Sequence, residues 1–261
     1  MLYSKAPVPP PVVVNTTTTT NIPIEWDWRK YGIVTPARDQ KLCLSSWSFA
    51  AISALESHVM KAQIAEGKFD PTKQLKLSEQ NLIDCSTSFG TQGCYEGTTR
   101  MAFEYVQEIK GLNTNNDYPF TGKPDNCLYK EEKRVDIDIK DIIRITTGSD
   151  QELVAAIYTY GPVTVSLHET INFKTYRSGI FDDPLCDANN VSIALVAVGY
   201  TPEYFILKHS LGNNWGENGY IRLSRSKSNN CGVSEQAYYT VLANDVGTDK
   251  INDKLMIHYI N

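Results

Sequence analysis

Across residues 47–67 the apolar side chains Phe49, Ile52, Leu55 and Val59 recur at three- and four-residue spacing, the signature of one face of a helix. Ser45 and Ser46 stand before this run and Gly67 just beyond it, so the pattern predicts a helix opened by a serine and closed by a glycine. LSEQNLIDC predicts a second, shorter helix, RMAFEYVQEIKG a third ending at Gly111, and DQELVAAIYTYG a fourth. The second half changes character. GPVTVSL, SIALVAVGY, YFILKHS and GYIRLSR are β-branched and aromatic runs set between turn residues, and they predict strands. Helices first and strands later describe an α+β protein of two lobes, with any cleft between them.

Residues 1–21 follow neither period. Pro7, the prolines at 9–11 and the threonine run at 16–20 cannot bury a core, which predicts an extended or disordered tail. Globular composition begins at Ile22. The whole chain has 261 residues, 41% apolar and 21% charged, ample for a hydrophobic core. Its net charge of −5 argues against a nucleic-acid partner, which needs clustered cations. No apolar run approaches the roughly 18–20 residues of a membrane span.

The six cysteines, Cys43, Cys85, Cys94, Cys127, Cys186 and Cys231, include no CxxC pair and no Cys/His cluster, so no metal site is expected. Three disulfides in an oxidising compartment are favoured over six reduced thiols. The N-terminus nevertheless lacks an apolar stretch long enough for a signal peptide. Either the chain is a processed fragment or truncated start, or it never enters the secretory route. Sequons at Asn15 and Asn190 bear on the first case only.

The segment IPIEWDWRKYGIVTPARDQKLCLSSWSFAA resembles the mature N-terminus of the papain-like cysteine proteases. It is followed, in that family's order, by LSEQNLIDCS, GCYEG, NDYPF, GPVTVSL, SGIF, VAVGY, NNWGENGYIRLSR and NNCGV. The cathepsin L-like branch fits best. The resemblance implies a papain-like domain over residues 22–243 with a V-shaped cleft between two lobes. The helical left lobe would span about 40–135 plus the chain ends, and the β-barrel-like right lobe about 136–243. It also implies the pairings Cys43–Cys94, Cys85–Cys127 and Cys186–Cys231, and an extracellular or lysosomal location. Residues 244–261 run past the family's usual end, either as a docking segment or as an ordinary tail.

In this chemistry a thiolate attacks a peptide carbonyl while an imidazolium holds it ionised, an asparagine orients the imidazole and a glutamine binds the oxyanion. The resemblance places Ser46 at the nucleophile, Ile193 at the histidine and His209 at the asparagine. Of the four parts it leaves only Gln40. A serine hydroxyl needs a strong adjacent base, and Ile193 can neither accept nor donate a proton. His209 is expected behind Ile193, too far from Ser46 for proton transfer, and Leu211 replaces the tryptophan that screens the imidazole. Trp47 and Trp215 remain.

The family's glycine pair reads Glu96-Gly97, leaving one glycine where a substrate backbone approaches closely. Carried over, the pocket for the second substrate residue is Thr98, Thr99, Ser166, Ala194 and Gln236, more polar than the family's. These residues describe a proteolytically inactive papain-like protein. It would act by binding a protein or peptide, as a scaffold, decoy or structural component, and needs no cofactor. The alternative is a weak serine-dependent hydrolase using Ser46 with His209.

Overall fold

A computed structural model describes residues 22–248. The Pro/Thr-rich tail at 1–21 with its Asn15 sequon, and the extension from residue 249 onward, lie outside the described residues.

Five α-helices and ten strands alternate along this span. In chain order they are β1 (Trp26–Asp27), α1 (Ser46–Glu66), α2 (Glu79–Cys85), α3 (Thr99–Ile109), β2 (Gly111–Leu112), β3 (Val135–Asp136), β4 (Ile139–Arg144), α4 (Asp150–Tyr160), β5 (Val163–Leu167), α5 (Ile171–Lys174), β6 (Ile180–Phe181), β7 (Ile193–Tyr200), β8 (Tyr204–Lys208), β9 (Tyr220–Ser224) and β10 (Tyr238–Leu242). The α+β class and the papain-like arrangement of the expectation are what the chain adopts.

Helix α1 is the axis of the molecule. It is buried along nearly its whole length, packing on α2 and α3 to one side and on β7 to the other. Its start differs from the expectation in one respect. Ser45 occupies the cap position, but its hydroxyl has no partner; its carbonyl instead accepts the N–H groups of Ser48 and Phe49. A helix start sealed inside the protein needs no side-chain cap when loop backbone shapes it. Gly67 closes the helix in the left-handed conformation, as expected.

Helix α3 ends at Ile109, short of the expected Gly111. Lys110 takes the left-handed turn, and Gly111 already belongs to β2. A Cβ on Gly111 would collide with the Val135 carbonyl, so strand contact, and not helix termination, requires this glycine.

The sheet runs β4-β10-β5-β7-β8-β9-β6, an open path antiparallel throughout except for β6 beside β9. β7 is buried from Ala194 to Tyr200, because α1 and α4 both pack against it; that explains its unbroken apolar run. β1 pairs with the far end of β7, so the N-terminal end of the described span joins the sheet, and Trp28 Nε1 just after it donates to the Ile157 carbonyl of α4. The other end packs on the helices. Lys61 of α1 donates to the Asp245 carboxylate and the Val246 carbonyl, and Thr248 bonds the α4 carbonyls of Tyr158 and Thr159.

Three disulfides join Cys43 to Cys94, Cys85 to Cys127 and Cys186 to Cys231, the pairing implied by the resemblance. Among the described residues no group of acidic, His or Cys side chains is placed to hold a metal, and no helix is long and apolar enough to cross a membrane.

Candidate active-site cleft

The N-terminus of α1 abuts the start of β7, and a cleft of about 440 Å³ opens where they meet. Gln40, Ser46, Gly97, Thr98, Thr99, Ser166, Ile193, Ala194, His209 and Gln236 all line it. Residues from both halves of the sequence, Gln40 and Gln236 at its extremes, are thereby brought to one surface. Trp215 is not part of the lining; it is buried behind it, against Phe173, Tyr176 and His209.

Ser46 is the first residue of α1, and its Oγ accepts the Ala194 N–H at 3.1 Å. The hydroxyl is thus held by backbone and not by a base. Ile193, one residue earlier on β7, presents only hydrocarbon to the cleft.

His209 follows the end of β8. Its ring stands edge-on to Trp215 at 5.0 Å and to Phe173 at 5.5 Å between centroids. Neither ring nitrogen has a hydrogen-bond partner, so Ser46 and His209 are not bonded to each other. Burial without a compensating acceptor disfavours the imidazolium and pushes the pKa down to about 3. A neutral imidazole so reluctant to take a proton is a poor general base near neutral pH.

A charged cluster beneath the cleft anchors the approach to His209. Lys208 Nζ donates to Thr35 Oγ1 at 3.1 Å and to Ser53 Oγ at 2.8 Å. Glu56 in turn accepts from Thr35, Arg38 and the Leu77 N–H. Burial lowers the Lys208 pKa to about 8 and raises that of Glu79, beside Arg38, to about 7. These groups are bonded to one another within the core and leave the cleft lining without a cation of their own.

Gln40 is pinned at both ends of its amide. Its Nε2 donates to the Cys43 carbonyl at 2.9 Å, and its Oε1 accepts from Ser210 Oγ at 2.5 Å. The polar pocket residues also have structural duties. Thr98 caps α3 by accepting the Met101 N–H, and Thr99 accepts a bond from Thr164. Gly97 has a reason the sequence did not reveal: a Cβ there would strike the Trp47 indole, so core packing alone forbids a side chain.

Sequence reasoning missed Leu44, Tyr95, Glu169, Val191 and Ser192, which complete the lining. For Leu44 the signal was present. The papain and cathepsin motif reads Cys-Gly-Ser/Ala-Cys before Trp or Tyr, and here it reads Cys43-Leu44-Ser45-Ser46-Trp47.

Comparison with known proteins agrees with this architecture. Residues 22–241 match the model of the papain family of cysteine proteases. The chain is 36% identical over 230 residues to a cathepsin L-like peptidase of Aedes aegypti, covering 85% of this chain and 64% of that protein. It is 36% identical over 228 residues to human cathepsin L2, covering 84% and 66%. The chain therefore spans just under two thirds of these relatives' length. The solved procathepsin L 3 of the Tenebrio molitor larval midgut superposes with a TM-score of 0.78 at 33% identity, over 86% of this chain and 72% of that one. In fold, disulfide frame and sequence alike, the chain belongs to the papain family of cysteine proteases, with relatives of the cathepsin L type.

Proposed function

We propose that this chain is a proteolytically inactive member of its family that acts by binding a protein or peptide, as a scaffold, decoy or structural component. One observation carries the reading: among the described residues, the cleft floor holds no bonded nucleophile–base pair. Ser46 is held by the Ala194 N–H, Ile193 has nothing to titrate, and His209 bonds to neither. Acyl transfer needs a base within hydrogen-bond reach of the nucleophile and an acid for the leaving amine. The cleft of about 440 Å³ has polar walls that can receive a ligand, which is what a binding role requires. Serine-dependent hydrolysis through Ser46 and His209 is the weaker reading, because the two side chains share a lining without a bond. A fluorophosphonate serine reagent separates them. We expect no labelling at Ser46 above a denatured control, and stoichiometric labelling there overturns the reading.

The three disulfides fit an oxidising compartment, and the extracellular or lysosomal assignment is proposed on that ground. Asn190 then becomes a glycosylation site. It is exposed in the turn before β7, and the next two residues of its sequon, Val191 and Ser192, line the cleft. A glycan there crowds one rim. Peptide-N-glycosidase treatment of protein from its native source is expected to convert Asn190 to Asp; an unmodified Asn190 in secreted protein refutes this.

A further inference from the structure

Two positions that are glycine in the family's motifs carry side chains here, Leu44 and Glu96, and both face the cleft. Their neighbourhood is fixed covalently. The Cys43–Cys94 disulfide, with Cα atoms 4.8 Å apart, clamps the loop leading into α1 to the loop leading into α3. Leu44 follows one half of that bridge and Tyr95 and Glu96 follow the other, and all three line the cleft together with Ser46. Leu44 is 67% exposed and Tyr95 79%, so neither is drawn into the core. Glu96 Oε2 accepts a hydrogen bond from Gln92 Nε2 at 2.9 Å.

Gly97 supplies the contrast. It is the glycine the core needs, since any side chain there strikes Trp47, and it is kept. Leu44 and Glu96 sit where the fold tolerates a side chain freely and only a closely approaching ligand backbone would require its absence.

We infer that Leu44, Tyr95 and Glu96 form a lip that bars an extended peptide main chain from the stretch of cleft beside Ser46, while leaving Ser46 open to small molecules. This deepens the proposed binding role: a partner meets the lip with a loop or a protruding side chain and does not thread a strand past it. Chemical inactivity and steric exclusion are then separate properties of the same cleft.

The test uses the full chain carrying Ser46→Cys, with disulfide integrity checked by peptide mapping. Two thiol reagents are compared, iodoacetamide and an epoxysuccinyl-leucyl amide whose peptide-like arm must lie along the cleft. We expect iodoacetamide to alkylate the introduced thiol and the peptidyl reagent to react far more slowly than its chemistry allows. Adding Leu44→Gly and Glu96→Gly should raise the peptidyl rate about tenfold or more, the scale of relieving a steric overlap, with the iodoacetamide rate nearly unchanged. Leu44→Ala gives an intermediate rate and guards against misfolding of the glycine variants. A peptidyl rate indifferent to all three substitutions overturns the inference. So does failure of both reagents in every variant, because position 46 would then be closed by something other than the lip. Neither readout involves turnover, so the inference fails or survives separately from the inactivity of the wild-type chain.

Discussion

In a chain carrying Leu44→Gly and Glu96→Gly, Ser46→Cys alone is expected to leave peptide hydrolysis undetectable, and adding Ile193→His to raise it by about 10²–10⁴-fold. The thiol at position 46 gains acidity from the N-terminus of α1, a helix of 21 residues, but nothing holds the resulting thiolate as an ion pair or protonates the leaving amine. An imidazole at position 193 supplies both functions, because Ile193 begins β7 directly before the N–H that already reaches Ser46. His209→Asn then provides an amide oxygen to orient that imidazole, and Leu211→Trp screens the bond from water; each adds a smaller gain. The assay is a fluorogenic dipeptide at mildly acidic pH, with folding of each variant checked by its melting curve. Strong turnover by wild type or by the variant lacking Ile193→His would mean that another residue acts as the base.

Acidification is expected to destabilise the protein well before its surface carboxylates protonate. His58 bonds Thr240 and the Pro162 carbonyl in the core, and burial holds it, like His209, at a pKa of about 3. Both values lie below the roughly 6.5 of an unfolded histidine, so between about pH 3 and 6.5 the unfolded chain binds more protons. Their contribution is complete above the unfolded value and is lost as pH falls. Glu79 acts in the opposite sense. Its pKa is raised to about 7, so its contribution is present below the ordinary carboxylate value and lost as pH rises through 7.

Between about pH 4.5 and 6.5 the two histidines outweigh Glu79, and these three groups by themselves contribute a loss on the order of 1.4 kcal/mol per pH unit on acidification; Asp150 and Asp245, raised by burial, act in the same sense as Glu79. Lys208, lowered to about 8, adds stability with rising pH between about 8 and 10.5. Urea midpoints measured from neutral pH down to about pH 5 check the slope. His209→Leu removes one titrating group together with two unsatisfied buried nitrogens. The variant should flatten the slope and be no less stable at neutral pH. An unchanged slope in this variant would mean that His209 is not the buried neutral group described.

The helix and strand periods, the glycine closing α1 and the cysteine positions were readable because each depends on local spacing or on a family motif. β4 and β10 escaped notice because their stability comes from pairing with each other, a long-range contact with little trace in either segment. Ser46, Ile193 and His209, the positions on which the proposed inactivity rests, were likewise visible in the linear motifs.

Amino-acid identity alone determined what these positions can do chemically: a hydroxyl at position 46, hydrocarbon at 193, an imidazole at 209. Tertiary structure decided how each is held, since hydrogen bonds and burial are set by neighbours distant in the chain. It gave Ser46 a backbone N–H from β7, left both nitrogens of His209 without partners against Phe173 and Trp215, and gave Gly97 to Trp47. Through one disulfide it also set Leu44 with Tyr95 and Glu96 in the cleft lining, a proximity that no spacing between residues 44 and 95 encodes.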